Sequence, residues 1–165
     1  MFAPQTLDYS DKSAFWAELA SQARGLLAGE ADPVANAANL SALIFNQLPD
    51  VNWAGFYFAN GDGLVVGPFQ GLPACVRIPM GKGVCGTAAA TCSTQLVADV
   101  DAFPGHIPCD AASRSEIVVP LIANNGDLLG VLDVDSPRVA RFDEEDRRGL
   151  EALASIYVSA VRVGS

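Results

Sequence analysis

The sequence is poor in basic residues, and this scarcity narrows the range of partners. Its 165 residues include 10 lysines and arginines against 19 aspartates and glutamates, so the formal net charge at pH 7 is −9. A surface that binds nucleic acid or an anionic membrane needs clustered Lys and Arg to neutralise phosphates. The densest basic spot is the segment DRR at 146–148. We therefore expect neither nucleic acid nor a membrane as a partner.

Long apolar runs and a leader-like N-terminus are also missing. No stretch approaches the roughly 18 consecutive apolar residues that a membrane-spanning helix needs. The first residues, MFAPQTLDYSDKS, show neither the basic region nor the apolar core of a secretory signal, so we expect a cytoplasmic protein. Half of the residues are hydrophobic, and 165 residues suffice for one full core but are few for two. We expect residues 1–165 to form a single domain.

The cysteines and the single histidine do not form a recognisable metal-binding motif. The cysteines are separated by 10, 7 and 17 positions, with no CxxC pair and no HxxxH, so the spacing argues against a metal centre. A cysteine hydrolase would depend on His106, which is more typical of a loop residue. A cytosolic cysteine cluster indicates catalytic, redox or metal chemistry rather than a structural disulfide framework. The alternative is four buried small hydrophobic residues, at positions 75, 85, 92 and 109.

The pattern of apolar residues predicts helices at both ends of the chain and strands between them. SDKSAFWAELASQARGLLAG carries a helical apolar stripe, and both Asp32-Pro33 and Asp143 are typical of helix starts. The turn signals NGDG at 60–63 and NNGD at 124–127 join strand-like runs into hairpins. Hairpins rather than βαβ units favour an α+β fold, in which an antiparallel sheet packs against the N- and C-terminal helices.

Two segments with cysteines need separate interpretation. GKGVCG at 81–86 resembles a phosphate loop but matches neither a P-loop nor a dinucleotide fingerprint. As the start of a short Ala-rich helix, it would place Cys85 near free backbone amides that favour a thiolate. We expect Cys92, seven residues further along, to be a packed apolar residue. The segment 100–114 reads as a long loop that contains Cys109, and long loops in compact domains are typically functional.

Strand alternation predicts a cluster of acids on one face of the sheet. Asp133 and Asp135 share a face at the end of their strand, and Glu116 begins the paired strand on the face opposite its apolar residues. Trp53 and Tyr57 share a face of another strand and could line the same space. If the carboxyls converge, repulsion and burial raise at least one pKa and leave an acid protonated near neutral pH. The alternative is that the two aspartates are solvated at a strand end.

Five segments together carry a resemblance to a known family: VNWAGFYF, GPFQGLPACVRI, GKGVCGTAA, FPGHIPCDAASRSEIVVPL and GVLDVDSP. They are similar to the free methionine-(R)-sulfoxide reductases, single-domain members of the GAF fold. The resemblance extends from about residue 40 to the last helix. It implies a GAF-like sheet and an enzyme that reduces the R epimer of free methionine sulfoxide to methionine. It also implies a thioredoxin-type reductant, a homodimer, and no metal or organic cofactor.

The resemblance also implies roles for individual residues. Cys109 matches the nucleophile, which becomes a sulfenic acid, and Cys75 and Cys85 are candidates to resolve it as a disulfide. A carboxyl group of the acid pocket would protonate the sulfoxide oxygen. The implied substrate-binding residues are the acids Glu116, Asp133 and Asp135, together with Trp53 and Tyr57 as a wall against the substrate methyl group.

Two residues stand apart from the family pattern, and one other function is open. Cys92 matches no family position. Pro108 stands where a small residue such as Ala is usual, and it would stiffen the backbone before Cys109 and remove an amide donor without abolishing activity.

The alternative function is a regulatory GAF module that binds a cyclic nucleotide or another small molecule without catalysis. The three-cysteine pattern and the expected single domain count against that alternative.

Overall fold

The described part of the chain forms six antiparallel strands and four α-helices. The structure is a computed structural model that describes residues 2–3, 6–109 and 111–161. Among these residues, no helix is both long and apolar enough to cross a membrane. In chain order the elements are α1 (Lys12–Leu27), α2 (Pro33–Gln47), β1 (Trp53–Asn60), β2 (Gly63–Gly71), β3 (Arg77–Pro79), α3 (Gly83–Thr91), β4 (Gln95–Val97), a 3₁₀ turn (Val100–Ala102), β5 (Ser115–Ile122), β6 (Leu128–Ser136) and α4 (Glu144–Ala160).

Side-chain caps determine where the terminal helices begin. The carboxylate of Asp32 accepts the backbone N–H of Ala35, and Pro33 is the first residue of α2. Asp143 forms a capping box with Asp146 at the start of α4, each side chain accepting the other's backbone N–H. These contacts satisfy amides that have no partner within the helix. Both predicted helix starts are confirmed.

The strands form one sheet in the order β3-β2-β1-β6-β5-β4. The two predicted hairpins, β1–β2 and β5–β6, are confirmed, and antiparallel pairing of β1 with β6 joins them at the centre. Alternation then gives the sheet two different faces. The face that carries Phe56, Leu132 and Val134 belongs to the larger core, whereas Trp53 and Tyr57 lie on the other face.

The larger core lies between the sheet and helices α1, α2 and α4. The predicted α+β fold, with the terminal helices packed on one face, is therefore confirmed. Helix α3 and residues 100–109 cover the opposite face, where a smaller core forms. The larger core includes Phe15, Leu19, Leu40, Ile44, Phe56, Ile117, Leu121, Leu132, Leu150, Leu153 and Tyr157. The smaller core includes Leu64, Ile78, Val84, Ala88, Val118 and Val131.

The prediction that Cys92 is a packed residue of α3 is wrong. The helix ends at Thr91, and Cys92 is its C-cap, in the left-handed conformation with φ 50°. That conformation turns the chain out of the helix, so Cys92 does not occupy a helical position against the sheet. Its thiol is free and exposed, and contacts the Ala89 carbonyl at 3.6 Å.

Candidate active site

Three carboxyl groups meet on the face of the sheet opposite α1, α2 and α4. Glu116 of β5 pairs with Asp135 of β6, and Val118 pairs with Asp133, so all three acids point to the same side. Each acid is buried, with exposed fractions of 8% for Glu116 and Asp135 and 4% for Asp133. The predicted convergence is confirmed, and the alternative of solvated aspartates is wrong. Two adjacent strands place these groups, so their positions depend on sheet register rather than on a loop.

Aromatic rings form a wall beside the acids. Trp53 pairs with Asp135 across the β1–β6 ladder, which brings its indole to the edge of the acid cluster. Tyr57, four residues along β1, stacks on Trp53 with ring centroids 5.8 Å apart. Phe69 of β2 stacks on Trp53 from another side at 5.1 Å, and the indole N–H donates to the Leu72 carbonyl at 3.1 Å. These contacts fix the orientation of the indole.

The cysteines differ in their bonding. Cys75 and Cys109 form a disulfide with Cα atoms 5.4 Å apart, linking the segment after β2 to the 100–114 segment. Cys85, the third residue of α3, is free and buried, with its Sγ 3.8 Å from a Glu116 carboxyl oxygen. Cys109 is therefore bonded to Cys75 and not to Cys85, the other candidate.

One pocket collects nearly all of the predicted site residues. Cys75 does not line it but reaches it through the disulfide to Cys109, and Cys92 lies elsewhere. The ligand atoms of Cys85, Glu116 and Asp133 lie within 4.8 Å of one another, close enough to hold one ion. The predicted residues that line the pocket are Trp53, Tyr57, Cys85, Cys109, Glu116, Asp133 and Asp135.

The pocket favours protonated side chains. Burial raises the pKa of Asp133 well above its ordinary value, and the neighbouring carboxyls of Asp135 and Glu116 raise it further. Burial also raises the pKa of Glu116, although a hydrogen bond with Asp133 and the charge of His106 oppose the rise. Burial and the same acids raise the pKa of the Cys85 thiol. The prediction of a stabilised Cys85 thiolate is therefore wrong, because burial outweighs the helix amides.

Two basic residues that line the pocket were not among the predicted site residues. His106 is a loop residue, as predicted, and is half-buried in the pocket wall, while Lys82 is exposed at the pocket's rim. Lys82 is the N-cap of α3, its side chain makes no capping hydrogen bond, and Gly83 and Val84 of the first turn also line the pocket, so the N-terminal end of the helix borders it. Lys82 is three positions from Cys85, and His106 is three positions from Cys109. This closeness in sequence to predicted site cysteines could have indicated that both residues lie at the pocket.

The backbone before Cys109 forms a tight turn. The Cys109 N–H donates to the Ile107 carbonyl at 2.9 Å, so Pro108 is the central residue of a three-residue turn. The proline ring holds φ in the range that such a turn requires, which agrees with the predicted stiffening. Ile107 packs on Gly83, where a Cβ would approach its Cγ1 to 3.2 Å. The segment before the disulfide is thus held against the start of α3.

Comparisons with known proteins agree with this architecture. The sequence profile of the GAF domain matches residues 34–162. Free methionine-R-sulfoxide reductase of Escherichia coli is 52% identical over 88% of this chain and 87% of its own length, and that of Saccharomyces cerevisiae is 48% identical over 80% and 77%. The X-ray structure of free methionine-R-sulfoxide reductase from Neisseria meningitidis in complex with its substrate is 46% identical, with a TM-score of 0.92 over 97% of this chain and 95% of that chain. The chain therefore belongs to the GAF-domain family and, within it, to the free methionine-R-sulfoxide reductases.

Proposed function

We propose that this protein is a thiol-dependent reductase that converts free L-methionine (R)-S-oxide to L-methionine. The observation that carries the proposal is the disulfide between Cys75 and Cys109, because Cys109 borders the same pocket as the buried acids. Relatives from two organisms bear the name of this activity, and a third is described in complex with its substrate. The fold alone would not distinguish a reductase from a regulatory GAF module.

The pocket carries complementary groups for each part of a small zwitterion that contains a sulfoxide. The Trp53 and Tyr57 rings offer an apolar wall for the methyl group on sulfur. The acid cluster offers a hydrogen-bond donor to the sulfoxide oxygen. The uncapped start of α3 and the Lys82 side chain are suited to the substrate carboxylate, since a helix N-terminus favours an anion. A pocket walled in this way favours a free amino acid over a residue within a protein.

The proposed reaction proceeds in three balanced steps. The Cys109 thiolate attacks the sulfoxide sulfur while a protonated carboxyl of the cluster donates its proton to the oxygen. In the resulting adduct the hydroxyl group transfers from the substrate sulfur to the Cys109 sulfur, and the bond between the two sulfurs breaks. Methionine leaves and Cys109 becomes a sulfenic acid, so the substrate is reduced and the cysteine is oxidised by two electrons. The Cys75 thiol then attacks this sulfur, water leaves, and the disulfide forms. A thioredoxin-type dithiol reduces the disulfide by exchange and is itself oxidised.

The roles of individual groups follow from their surroundings. Asp133 is the strongest candidate for the proton donor because it is buried beside two other carboxyls, and burial and these neighbours disfavour its charged form. Cys75 is assigned as the resolving cysteine. Cys85 is assigned no part in the disulfide, since its thiol lies against the acids and its pKa is raised. Use of thioredoxin, the homodimer, a single domain over residues 1–165 and the cytoplasmic location stay predictions.

The test is methionine formation from the separated R and S sulfoxides, with dithiothreitol as reductant. We expect turnover of the R epimer and little of the S epimer. Cys109→Ser removes the nucleophile and abolishes turnover. The matched control is Cys92→Ser, because Cys92 is an exposed free thiol away from the pocket and its loss leaves the rate unchanged. Normal reduction by Cys109→Ser, or equal use of both epimers, would overturn the assignment.

A second pair of variants separates the two other cysteines. Cys75→Ser still releases about one methionine per chain in a single turnover but cannot form the disulfide, so its steady-state rate falls. Cys85→Ser still forms the Cys75–Cys109 disulfide, which peptide mapping after one turnover detects. Recovery of a Cys85–Cys109 disulfide from the wild-type protein would contradict the assignment of Cys75.

A further inference from the structure

We propose that the disulfide form of this protein binds one thiophilic divalent cation, such as Zn²⁺, through Cys85, Glu116 and Asp133, and that the ion excludes the substrate. Binding of the ion is independent of the proposed reductase activity. Exclusion of the substrate rests on the proposed function, because it assumes that the sulfoxide occupies the same pocket.

The three donor atoms lie close enough together to share one ion. Three elements, α3, β5 and β6, each supply one donor, and the three ligand atoms lie within 4.8 Å of one another. Zinc holds sulfur and carboxylate ligands at distances that place them roughly 3.4–3.8 Å apart in a tetrahedron. The Sγ of Cys85 already lies 3.8 Å from a Glu116 oxygen. Small side-chain rotations would therefore complete three corners of a zinc site.

One buried oxygen atom of the cluster is unsatisfied among the described residues. Oδ1 of Asp133 is fully buried and accepts no hydrogen bond among the described residues, while the residue as a whole is 4% exposed. Within the described ranges, no lysine or arginine forms an ion pair with Glu116 or Asp133. Buried polar atoms are normally satisfied by a partner, and a cation would satisfy this one.

The donor set selects the class of ion. Magnesium and calcium prefer sites made entirely of oxygen ligands, whereas a cysteine, which releases its thiol proton when the metal binds, favours zinc and other thiophilic ions. His106 also lines the pocket and could supply a nitrogen ligand, with water as the alternative. An ion in this position would occupy the space beside the acids that the sulfoxide oxygen needs. The proposal therefore predicts mutually exclusive binding.

The test uses the disulfide form, in which only two of the chain's four cysteines are free thiols. Cobalt(II) is the probe, because a bound thiolate gives it a charge-transfer absorption. We expect one equivalent of cobalt to produce this absorption, and zinc to displace it. The signal persists in Cys92→Ser and disappears in Cys85→Ser. Absence of the signal, its persistence in Cys85→Ser or its loss in Cys92→Ser would overturn the metal site.

A second variant tests the metal site even if Cys85→Ser does not fold. Asp133→Asn keeps the side-chain shape and removes a charged ligand, and circular dichroism checks that both variants fold. Loss of a residue that only supports a ligand lowers metal affinity about 10- to 100-fold, so loss of the ligand itself lowers zinc affinity by about 100-fold or more. Zinc affinity within about threefold of wild type in a folded Asp133→Asn protein would contradict its role as a ligand.

Competition tests the exclusion of substrate. The disulfide form cannot turn the sulfoxide over, so calorimetry measures binding alone. We expect the R sulfoxide to bind the metal-free protein and to raise the apparent Kd for zinc. Unchanged zinc affinity at saturating sulfoxide would overturn exclusion. Failure of the sulfoxide to bind the metal-free protein would instead count against the proposed function, while the cobalt titration decides the metal site separately.

Discussion

Two buried carboxylates on opposite sides of the sheet have opposite surroundings. Asp146, at the start of α4, is fully buried and accepts hydrogen bonds from Lys12 at 2.9 Å and from the Trp16 indole at 3.2 Å. Arg141 lies 3.5 Å from the same carboxylate. Asp133 is almost as deeply buried, but its neighbours are two further acids and a thiol.

The difference separates a structural site from a functional one. A buried charge is tolerated when it is paired and hydrogen-bonded, and the contacts of Asp146 join α1 to the start of α4. Acids that are buried together without cations carry raised pKa values, and such groups concentrate at sites that bind or transform a ligand. In this protein the pocket beside Asp133 also contains Cys109. Burial alone does not distinguish the two carboxylates, whereas their partners do.

The largest effect is expected for Asp133→Asn. If a carboxyl of the cluster donates the proton, its loss lowers kcat for the R sulfoxide about 100- to 10,000-fold. The free energy of unfolding at pH 7 stays equal or rises, because the substitution removes an acid that burial and like charges disfavour. Kinetics and urea denaturation provide the two measurements. Asp62→Asn, the same change at an exposed turn, is the control and should alter neither.

Asp146→Asn should give the reverse pattern, with a large loss of stability. Removing one partner of a buried ion pair costs about 3–5 kcal/mol, because the buried Arg141 would lose the charge that faces it. Urea denaturation measures this loss, and the folded fraction should retain its specific activity. Glu144→Gln, whose partner Arg147 lies at 3.7 Å on the surface, should cost less than about 1 kcal/mol. Equal losses in the two variants would contradict a structural role for the buried Asp146.

The smallest effect is expected in the pH dependence of stability, at Asp143 at the start of α4. The carboxyl of Asp143 is partly desolvated, which raises its pKa, but hydrogen bonds from Lys12 and the Asp146 amide lower it to about 2. Its stabilising contribution is therefore complete above its ordinary pKa of 3.8 and is lost as pH falls towards 2. Asp143→Asn keeps the helix cap, so we expect its stability to differ from wild type at pH 5 and to converge with it at pH 2. A difference in stability between the variant and the wild type that persists at pH 2 would contradict the lowered pKa of Asp143.

The acid cluster could be predicted because its causes are local. Alternation along β5 and β6 sets the face of each side chain, and the NNGD turn pairs the two strands. The bonding of Cys75 to Cys109 could not be derived from their spacing. The two residues are 34 positions apart, and only the packing of the 100–114 segment brings their Cα atoms within 5.4 Å. Cys92 was misjudged because a helix end depends on one or two residues.

The sequence by itself determined the helix starts, the hairpins, the two faces of the sheet and the acidity of one face. These features follow from caps, turns and periodicities that act over about four residues. The tertiary structure decided which cysteine bonds to Cys109, that burial raises the pKa of Cys85 and that His106 borders the pocket. Bond partners and pKa values depend on the groups that surround an atom, and those groups come from distant parts of the chain.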